Sequence, residues 1–318
     1  HAWQGGRHGG PRAPATPSLP GMPSVPYLHP LPLAEWIAAH EHELLPPVCN
    51  KLVYGQGQWK CMVVGGPNQR ADYHVEAGEE FFYQIKGDLC LKVVERGIPR
   101  DVWVREGQAL LLPARVPHSP NRGANTLGLV LERARRPGEL DGLRYYTEGC
   151  KEVLWEEWFH CTDLGKDLKP VIERWHASEA KRTGVPAELP PAPMEVDAET
   201  AVPAPMALAA WAAGARAGAG VPVFGAAGPG GFAAVAFWGA CKRPPAARPG
   251  EVVILCLEGG ARVAVRAAEG GAEEEVAVPA GGIVLLPEKA EYTLRGDGDG
   301  AFGLELFVEP LEGERAGG

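Results

Sequence analysis

The chain has 318 residues, 45% of them hydrophobic and 22% charged, with a formal net charge of −9; that length allows two domains with sizeable cores, and the acidic balance speaks against a nucleic-acid surface. No run of about 18 apolar residues free of charge occurs, which excludes a helical membrane span. Seven cysteines, scattered and without a Cys-x-x-Cys pair, argue against a disulfide scaffold or a structural zinc site and suit reduced thiols in the cytosol.

Residues 1–32 are rich in Pro, Gly and Arg and hold no acidic residue, which reads as a disordered tail or the remnant of a longer N-terminus, a targeting remnant being the alternative. From Leu33 to Leu45 the pattern is helical, with Leu33, Trp36, Ile37, His40 and Leu44 on one stripe. Short β-type runs follow at Lys60–Val64, Glu80–Ile85, Leu89–Val94, Asp101–Val104, Ala109–Leu112 and Gly128–Leu131, parted by turns such as Lys86-Gly87-Asp88. Many short strands with Gly/Pro corners predict a jelly-roll barrel. Residues 151–180, with Trp155, Trp158, Phe159, Leu168, Val171 and Trp175, read as helical segments packed on that barrel, and 183–207 as a Pro/Ala-rich linker.

The pattern then recurs. Leu33-Ala-Glu-Trp36 is echoed by Leu208-Ala-Ala-Trp211, Pro47-Val48 by Pro222-Val223, Leu89–Val94 by Ala261–Val265, and Ala109-Leu-Leu-Leu-Pro113 by Ile283-Val-Leu-Leu-Pro287. Self-similarity at a domain-sized period implies duplication. The expected division is a tail (1–32), a catalytic barrel (33–165), a helical segment and linker (166–207) and a degenerate barrel (208–318). The second copy has Ala, Val or Leu near the places of His74 and Glu80 and Tyr292 near that of His118, and no histidine follows His176. A metal site is therefore expected only in the N-terminal copy. The duplicated barrel stands where a single-barrel ancestor has its dimer contact, which favours a monomer.

The chemistry concentrates at His74, Glu80 and His118. Two histidines and one carboxylate on neighbouring strands occupy one face of an octahedral metal and leave the opposite face open, the signature of non-haem Fe(II) oxygen chemistry. A lone histidine in a strand is more often a satisfied core or surface residue; here the three residues sit in ordered Gly/Pro frames. An even spacing lets His74 and Glu80 share a face on a regular strand, unless Ala77-Gly78 is a turn. The frames resemble the two cupin motifs. Gly66, His74, Glu80 and Gly87 keep the first, with Asp72 in place of its first histidine; Gly107, Pro113 and His118 keep the second, with Arg115 in place of a glycine and Arg122 in place of an asparagine. The usual four ligands are thus cut to three.

Arg70 lies four residues before His74 and Arg122 four after His118, while Glu132 ends the apolar run Leu127-Gly-Leu-Val-Leu131. Charges at strand ends are ordinarily solvated. Two arginines so placed nonetheless point to a small planar carboxylate bound beside the metal, because the guanidinium fork makes two parallel charge-assisted bonds.

The segments Pro47-Val-Cys-Asn50, Gly65-Gly-Pro-Asn68, Asp72-Tyr-His74, Leu112-Pro-Ala-Arg-Val-Pro-His-Ser-Pro120 and Glu139-Leu-Asp-Gly-Leu-Arg-Tyr-Tyr146 resemble the 3-hydroxyanthranilate 3,4-dioxygenase family, strongly over about residues 33–180. The resemblance implies the two-cupin, animal-type form. It implies Fe(II) on His74, Glu80 and His118, substrate held by Arg122, Glu132 and Glu80, Arg70 helping to bind the carboxylate or oxygen, and Asn50 bordering the oxygen site. It also implies ring cleavage of 3-hydroxyanthranilate by O2 to 2-amino-3-carboxymuconate semialdehyde, which cyclises to quinolinate in the kynurenine route to NAD. Microbial single-cupin members carry a second iron on paired Cys-x-x-Cys motifs, absent here. The competing readings are a metal-dependent cupin isomerase or decarboxylase, which usually keeps four ligands, and a non-catalytic bicupin, which has no need of an open metal face.

Overall fold

Apolar strands that lack a clean in–out alternation dominate both halves of the chain, and they do so because their sheets are covered on both faces. The computed structural model describes residues 27–46, 49–55, 57–215, 221–225, 230–239, 246–266 and 273–309. The first half carries β1 (Leu31–Pro32), α1 (Leu33–Ala39), β2 (Asn50–Tyr54), β3 (Trp59–Gly65), β4 (Tyr73–Val75), β5 (Glu80–Lys86), β6 (Leu89–Glu95) and β7 (Ile98–Val104). It continues with β8 (Gln108–Leu112), β9 (His118–Arg122), β10 (Leu127–Arg133), β11 (Asp141–Tyr146) and β12 (Val153–Phe159). Helices α2 (Leu164–Ala177) and α3 (Glu179–Thr183) precede the second half, which opens with β13 (Met206–Ala207), α4 (Leu208–Ala215), β14 (Val221–Phe224), β15 (Phe232–Trp238) and β16 (Ala246–Ala247). It ends with β17 (Val252–Glu258), β18 (Ala261–Arg266), β19 (Glu273–Val278), β20 (Gly282–Leu286), β21 (Glu291–Gly296) and β22 (Phe302–Val308).

The strands form two barrels. One joins the sheets β13-β8-β5-β10-β3-β2 and β12-β11-β4-β9-β6-β7; the other joins β1-β20-β17-β22-β15-β14 and β16-β21-β18-β19. Met62, Val64, Phe82, Leu91, Leu110 and Val130 fill the first barrel, and Ile254, Cys256, Val263, Val284 and Leu294 the second. The alternate residues of the same strands, among them Val63, Phe81, Leu129, Leu131, Val253, Leu255, Leu304 and Leu306, build a third core between the barrels. Alternation is thus inside-barrel against between-barrels, and both sides are apolar. The protein is a bicupin.

The duplication is written into the topology. β1, just before α1, pairs with β20 of the second barrel (Leu31↔Ile283), and β13, just before α4, pairs with β8 of the first (Met206↔Ala109). Each barrel therefore receives one short strand from the segment that leads into the other, and the two Leu-Ala-x-Trp repeats are the starts of the helices that follow those strands. The turns before β6 and β18 both use a left-handed glycine, Gly87 (φ 64°) and Gly259 (φ 68°), a conformation glycine reaches at no steric cost. The Pro47-Val48 member of the repeat lies outside the described residues.

Two expectations need correction. The helical stripe over Leu33–Leu45 is an α-helix only to Ala39, followed by a 3-10 turn at Glu41–Leu44. Residues 153–159 are not helical: β12 pairs antiparallel with β11, and its aromatic residues belong to a strand too short to reveal a period. The helix begins at Leu164, and α2 covers the outer face of the sheet by stacking Trp175 on Tyr145, centroids 4.0 Å apart. The Pro/Ala-rich stretch after α3 is held to the first barrel by backbone and arginine contacts, including Ala187 N to Leu154 O (2.9 Å), Asp197 N to Arg115 O (3.0 Å) and Arg100 Nη2 to Val202 O (3.1 Å). Residues 1–26 lie outside the described residues, whereas Tyr27 and Leu28 already bond to the second barrel, Tyr27 Oη donating to Glu251 Oε1 at 2.5 Å and Leu28 N to Leu285 O at 3.0 Å.

Candidate metal and substrate site

His74 occupies the middle of β4 and Glu80 opens β5, with a bend at Ala77-Gly78 between them. The two are on different strands of different sheets, so spacing parity has no bearing on their alignment. His118 opens β9 and lies directly across from His74 in the β4–β9 register, while Glu80 faces Glu132 on β10. The corner before β9 turns through Arg115, which adopts the left-handed φ of 64° that the glycine of the motif would take.

These placements bring the three side chains to one point inside the barrel. Glu80 Oε1 is 3.2 Å from His118 Nε2 and 3.6 Å from His74 Nδ1, and all three residues are buried. One donor atom from each lies within 4.8 Å of the others, close enough to hold one ion. Burial alone raises the Glu80 pKa, but the two imidazoles outweigh it and hold the carboxylate well below its usual range. Burial lowers His74, yet bonds to Asp141 and Glu80 lift it to about 9. Two imidazole nitrogens and an ionised carboxylate oxygen fit a hard-to-borderline divalent cation such as Fe(II).

The same cleft carries two arginines. Asn50, Asn68, Arg70, Arg122 and Glu132 line the same cleft as His74, Glu80 and His118, together with the apolar Met62, Val64, Phe82, Pro120 and Val130. Arg122 is 1% exposed, and its Nε and Nη2 have no hydrogen-bond partner. Burial and the nearby Arg70 push its pKa down to about 10, which leaves it charged at neutral pH. A buried guanidinium without a partner is costly unless a ligand supplies the missing oxygens. Arg70, in contrast, already has an anion: its Nε donates to Asp72 Oδ2 at 3.0 Å and its Nη2 bonds the same oxygen. Asp72, standing where the cupin motif has a histidine, therefore orients Arg70.

Sequence reasoning missed the layer behind these groups. His74 Nε2 lies 2.7 Å from Asp141 Oδ2. Arg135 grips both oxygens of Asp141 at 2.7 Å, bonds Glu132 through Nη1, and lies 2.6 Å from Glu76 Oε2 without hydrogen-bond geometry. Burial, with Glu132, Glu80 and Asp141 adding to it against Arg135, raises the Glu76 pKa well above the usual carboxylate value. Asp141 lies 67 residues from His74 and Arg135 61, so local spacing carries no signal of the contact; only the quoted Glu139–Tyr146 run touched this layer.

In the second barrel the matching register positions hold no histidine, carboxylate or arginine. Ala246 pairs with Tyr292 as His74 pairs with His118; Val252 faces Leu286 as Glu80 faces Leu112, and faces Phe307 as Glu80 faces Glu132. Gly296 faces Ala261 as Arg122 faces Leu89. Among the described residues, the His/Cys/Asp/Glu groups close enough to share an ion are His74–Glu80–His118 and Glu76–Glu80–Glu132, both in the first barrel. An Arg248–Glu305 bond of 3.1 Å, with Arg248 over the Phe307 ring at 3.7 Å, occupies the second.

Residues 27–176 match the family profile of 3-hydroxyanthranilic acid dioxygenase. The Mus musculus 3-hydroxyanthranilate 3,4-dioxygenase is 50% identical over 197 residues, 60% of this chain and 68% of that protein. The chain belongs to the 3-hydroxyanthranilate dioxygenase family. The enzyme of the same name from Nematostella vectensis is 52% identical over 179 residues, 56% of this chain and 65% of that one, and the Homo sapiens enzyme 51% over 181 residues, 55% and 62%. The chain thus spans a little under two thirds of these two relatives. Among solved structures, a cupin 2 conserved barrel domain protein from Leptotrichia buccalis superposes with a TM-score of 0.49 at 12% identity, covering 91% of this chain and all of that one. No helix among the described residues is long and apolar enough to cross a membrane.

Proposed function

We propose that this family member is an Fe(II)-dependent ring-cleaving dioxygenase that converts 3-hydroxyanthranilate and O2 to 2-amino-3-carboxymuconate semialdehyde, the precursor of quinolinate. The observation that carries the reading is the unpartnered guanidinium of buried Arg122 in the same cleft as His74, Glu80 and His118. In this reading His74, Glu80 and His118 hold the metal. Fe(II), when bound, supplies activation of O2 and a Lewis-acid centre for the phenol and amine of the substrate.

The remaining groups position. Arg122 takes the substrate carboxylate through its free Nε and Nη2 and fixes the ring in plane. Met62, Val64, Phe82, Pro120 and Val130 sandwich the ring and exclude water. Glu132, held by Arg135, accepts a proton or a hydrogen bond from the ring substituents. Arg70, held by Asp72, offers its remaining donors to the oxygen side of the cleft, and Asn50 borders it. The second barrel carries no chemistry and serves as the permanent partner of the first, so the working unit is a monomer with catalytic and degenerate cupin domains as divided above. Six unpaired cysteines among the described residues suit a reducing compartment, and we assign the cytosol.

Oxygen consumption by Fe(II)-loaded protein given 3-hydroxyanthranilate, followed together with the absorbance of the ring-opened product, tests the proposal. One O2 per substrate, with a product that decays to quinolinate, is the expected result. Absence of uptake with iron demonstrably bound overturns it.

A further inference from the structure

The two histidines of the proposed metal site do not present the same edge to it. His118 is turned by its own strand: Nδ1 lies 3.0 Å from the Val116 carbonyl, so Nδ1 carries the proton and Nε2, 3.2 Å from Glu80 Oε1, faces inward. His74 is turned the other way. Its Nε2 lies 2.7 Å from Asp141 Oδ2, and Nδ1 is the nitrogen that faces Glu80, at 3.6 Å. Asp141 is fully buried at the start of β11, the strand that pairs with β4 and sets Leu143 across from His74. Its carboxylate cannot rotate away, because the Arg135 fork holds both oxygens, Nε to Oδ1 and Nη2 to Oδ2, each at 2.7 Å.

We infer that Asp141 and Arg135 are positioning residues that lock the His74 ring with Nε2 protonated and outward, so that this site binds its metal through Nδ1 of His74 and Nε2 of His118. A histidine that donates its outer N–H to a carboxylate is both oriented and made a stronger ligand, and loss of such a partner costs roughly 10- to 100-fold in metal affinity. The guanidinium is needed as a fork: a lysine keeps the charge but cannot bond both oxygens of Asp141. The inference rests on the metal-centre reading above and specifies the atoms through which it works.

Zn(II) is the probe, added alone to the full chain. In histidine-labelled wild-type protein, long-range ¹H–¹⁵N correlation is expected to show two zinc-bound rings of opposite type, one with Nδ1 on the metal and Nε2 protonated, the other reversed. Two rings that both bind through Nε2 overturn the inference, and this measurement needs no variant to fold. Chelator competition then compares Asp141→Asn and Arg135→Lys with wild type, each first confirmed folded by circular dichroism. Dissociation constants raised roughly 10- to 100-fold support the inference, and unchanged constants overturn it. Because both residues act through one contact, the double variant should be little worse than the poorer single one; fully additive losses count against a shared device. If wild type binds no Zn(II), or His118→Ala binds it as tightly, the metal-centre reading itself fails and the inference falls with it. Metal bound normally by wild type but indifferent to Asp141 sinks only the inference.

Discussion

In the proposed reading, substrate recognition turns on Arg122. A charge with 1% exposure and two bare nitrogens destabilises the empty protein, and a carboxylate seated on it recovers that energy at binding. Hydrogen bonds to charged groups are worth about 1.5–3 kcal/mol, so Arg122→Ala should raise KM for 3-hydroxyanthranilate roughly 10- to 100-fold, and Arg122→Lys, which loses the fork, should recover only part of that loss. Steady-state kinetics at fixed O2 reads the effect; an unchanged KM removes Arg122 from the substrate. His118→Ala belongs to a different class, since it takes one of the three proposed ligands. Fe(II) binding measured by chelator competition should be lost together with turnover, and retained iron would remove His118 from the site. Both residues were legible in the chain because they stand in ordered frames, Pro113 to His118 and His118 to Arg122. The pairing of Arg70 with Asp72 was not, although the substitution of a histidine by Asp72 was: a motif reports which ligand is missing but not which neighbour the replacement holds.

At the scale of the element, three strands do most of the work of assembly. β4 brings His74, β9 brings His118 across from it, and β11 brings Asp141 behind it. His74 and His118 were placed on strands from the sequence, but none of the three was given bounds as a β-type run. β4 is three residues long and β9, His-Ser-Pro-Asn-Arg, lacks the branched and aromatic residues that mark a strand; both are held by neighbours rather than by their own preference. The apolar strands β3, β5, β6, β8 and β10 were legible for the opposite reason. The corner before β9 carries a testable strain: Arg115 at φ 64° costs about 1–2 kcal/mol relative to an unstrained position, part of which Arg115→Gly should recover as a higher Tm, offset by glycine's extra chain entropy of about 0.5–1 kcal/mol. A lowered Tm would mean that contacts of the Arg115 side chain outweigh the strain. β11 sets the acid limb of stability. Burial raises the Asp141 pKa, but the bonds from Arg135 and His74 outweigh it and hold the carboxyl far below the ordinary value. A depressed carboxylate contributes stability present above its unfolded pKa, about 4, and lost as pH falls toward the folded value. Thermal melts of metal-free protein should therefore fall steeply below about pH 4, and Asp141→Asn should flatten that limb; a variant with an unchanged acid limb would mean that other carboxylates govern it.

At the scale of the whole molecule the question is whether a barrel with the site and a barrel without one are two stable units or one. The duplication was legible from Leu-Ala-x-Trp and the two apolar strands ending in proline, but the exchange of β1 and β13 was not, since two-residue strands leave no pattern. The exchange and the core between the barrels argue for a single unit. Phe81, the residue after Glu80, stacks on Phe232 of the second half with centroids 5.7 Å apart and planes at 10°, and Trp59 meets the same ring edge-on at 5.3 Å. Glu79 accepts the backbone N–H of Phe232 at 2.5 Å. The strand that begins with a proposed metal ligand is thus packed, on its outer face, against the second barrel. Removing either barrel would expose Val63, Leu129, Leu131 or their counterparts Val253, Leu255 and Leu304 as one apolar sheet face. Calorimetry of the metal-free protein should accordingly give one transition whose calorimetric and van't Hoff enthalpies agree. Phe232→Ala should cost about 3–5 kcal/mol, the range for a large aromatic lost from a packed core, and should move that whole transition down while leaving it single. If instead the variant resolves two transitions and only one moves, the barrels unfold independently and the second is a neighbour of the site rather than part of its support.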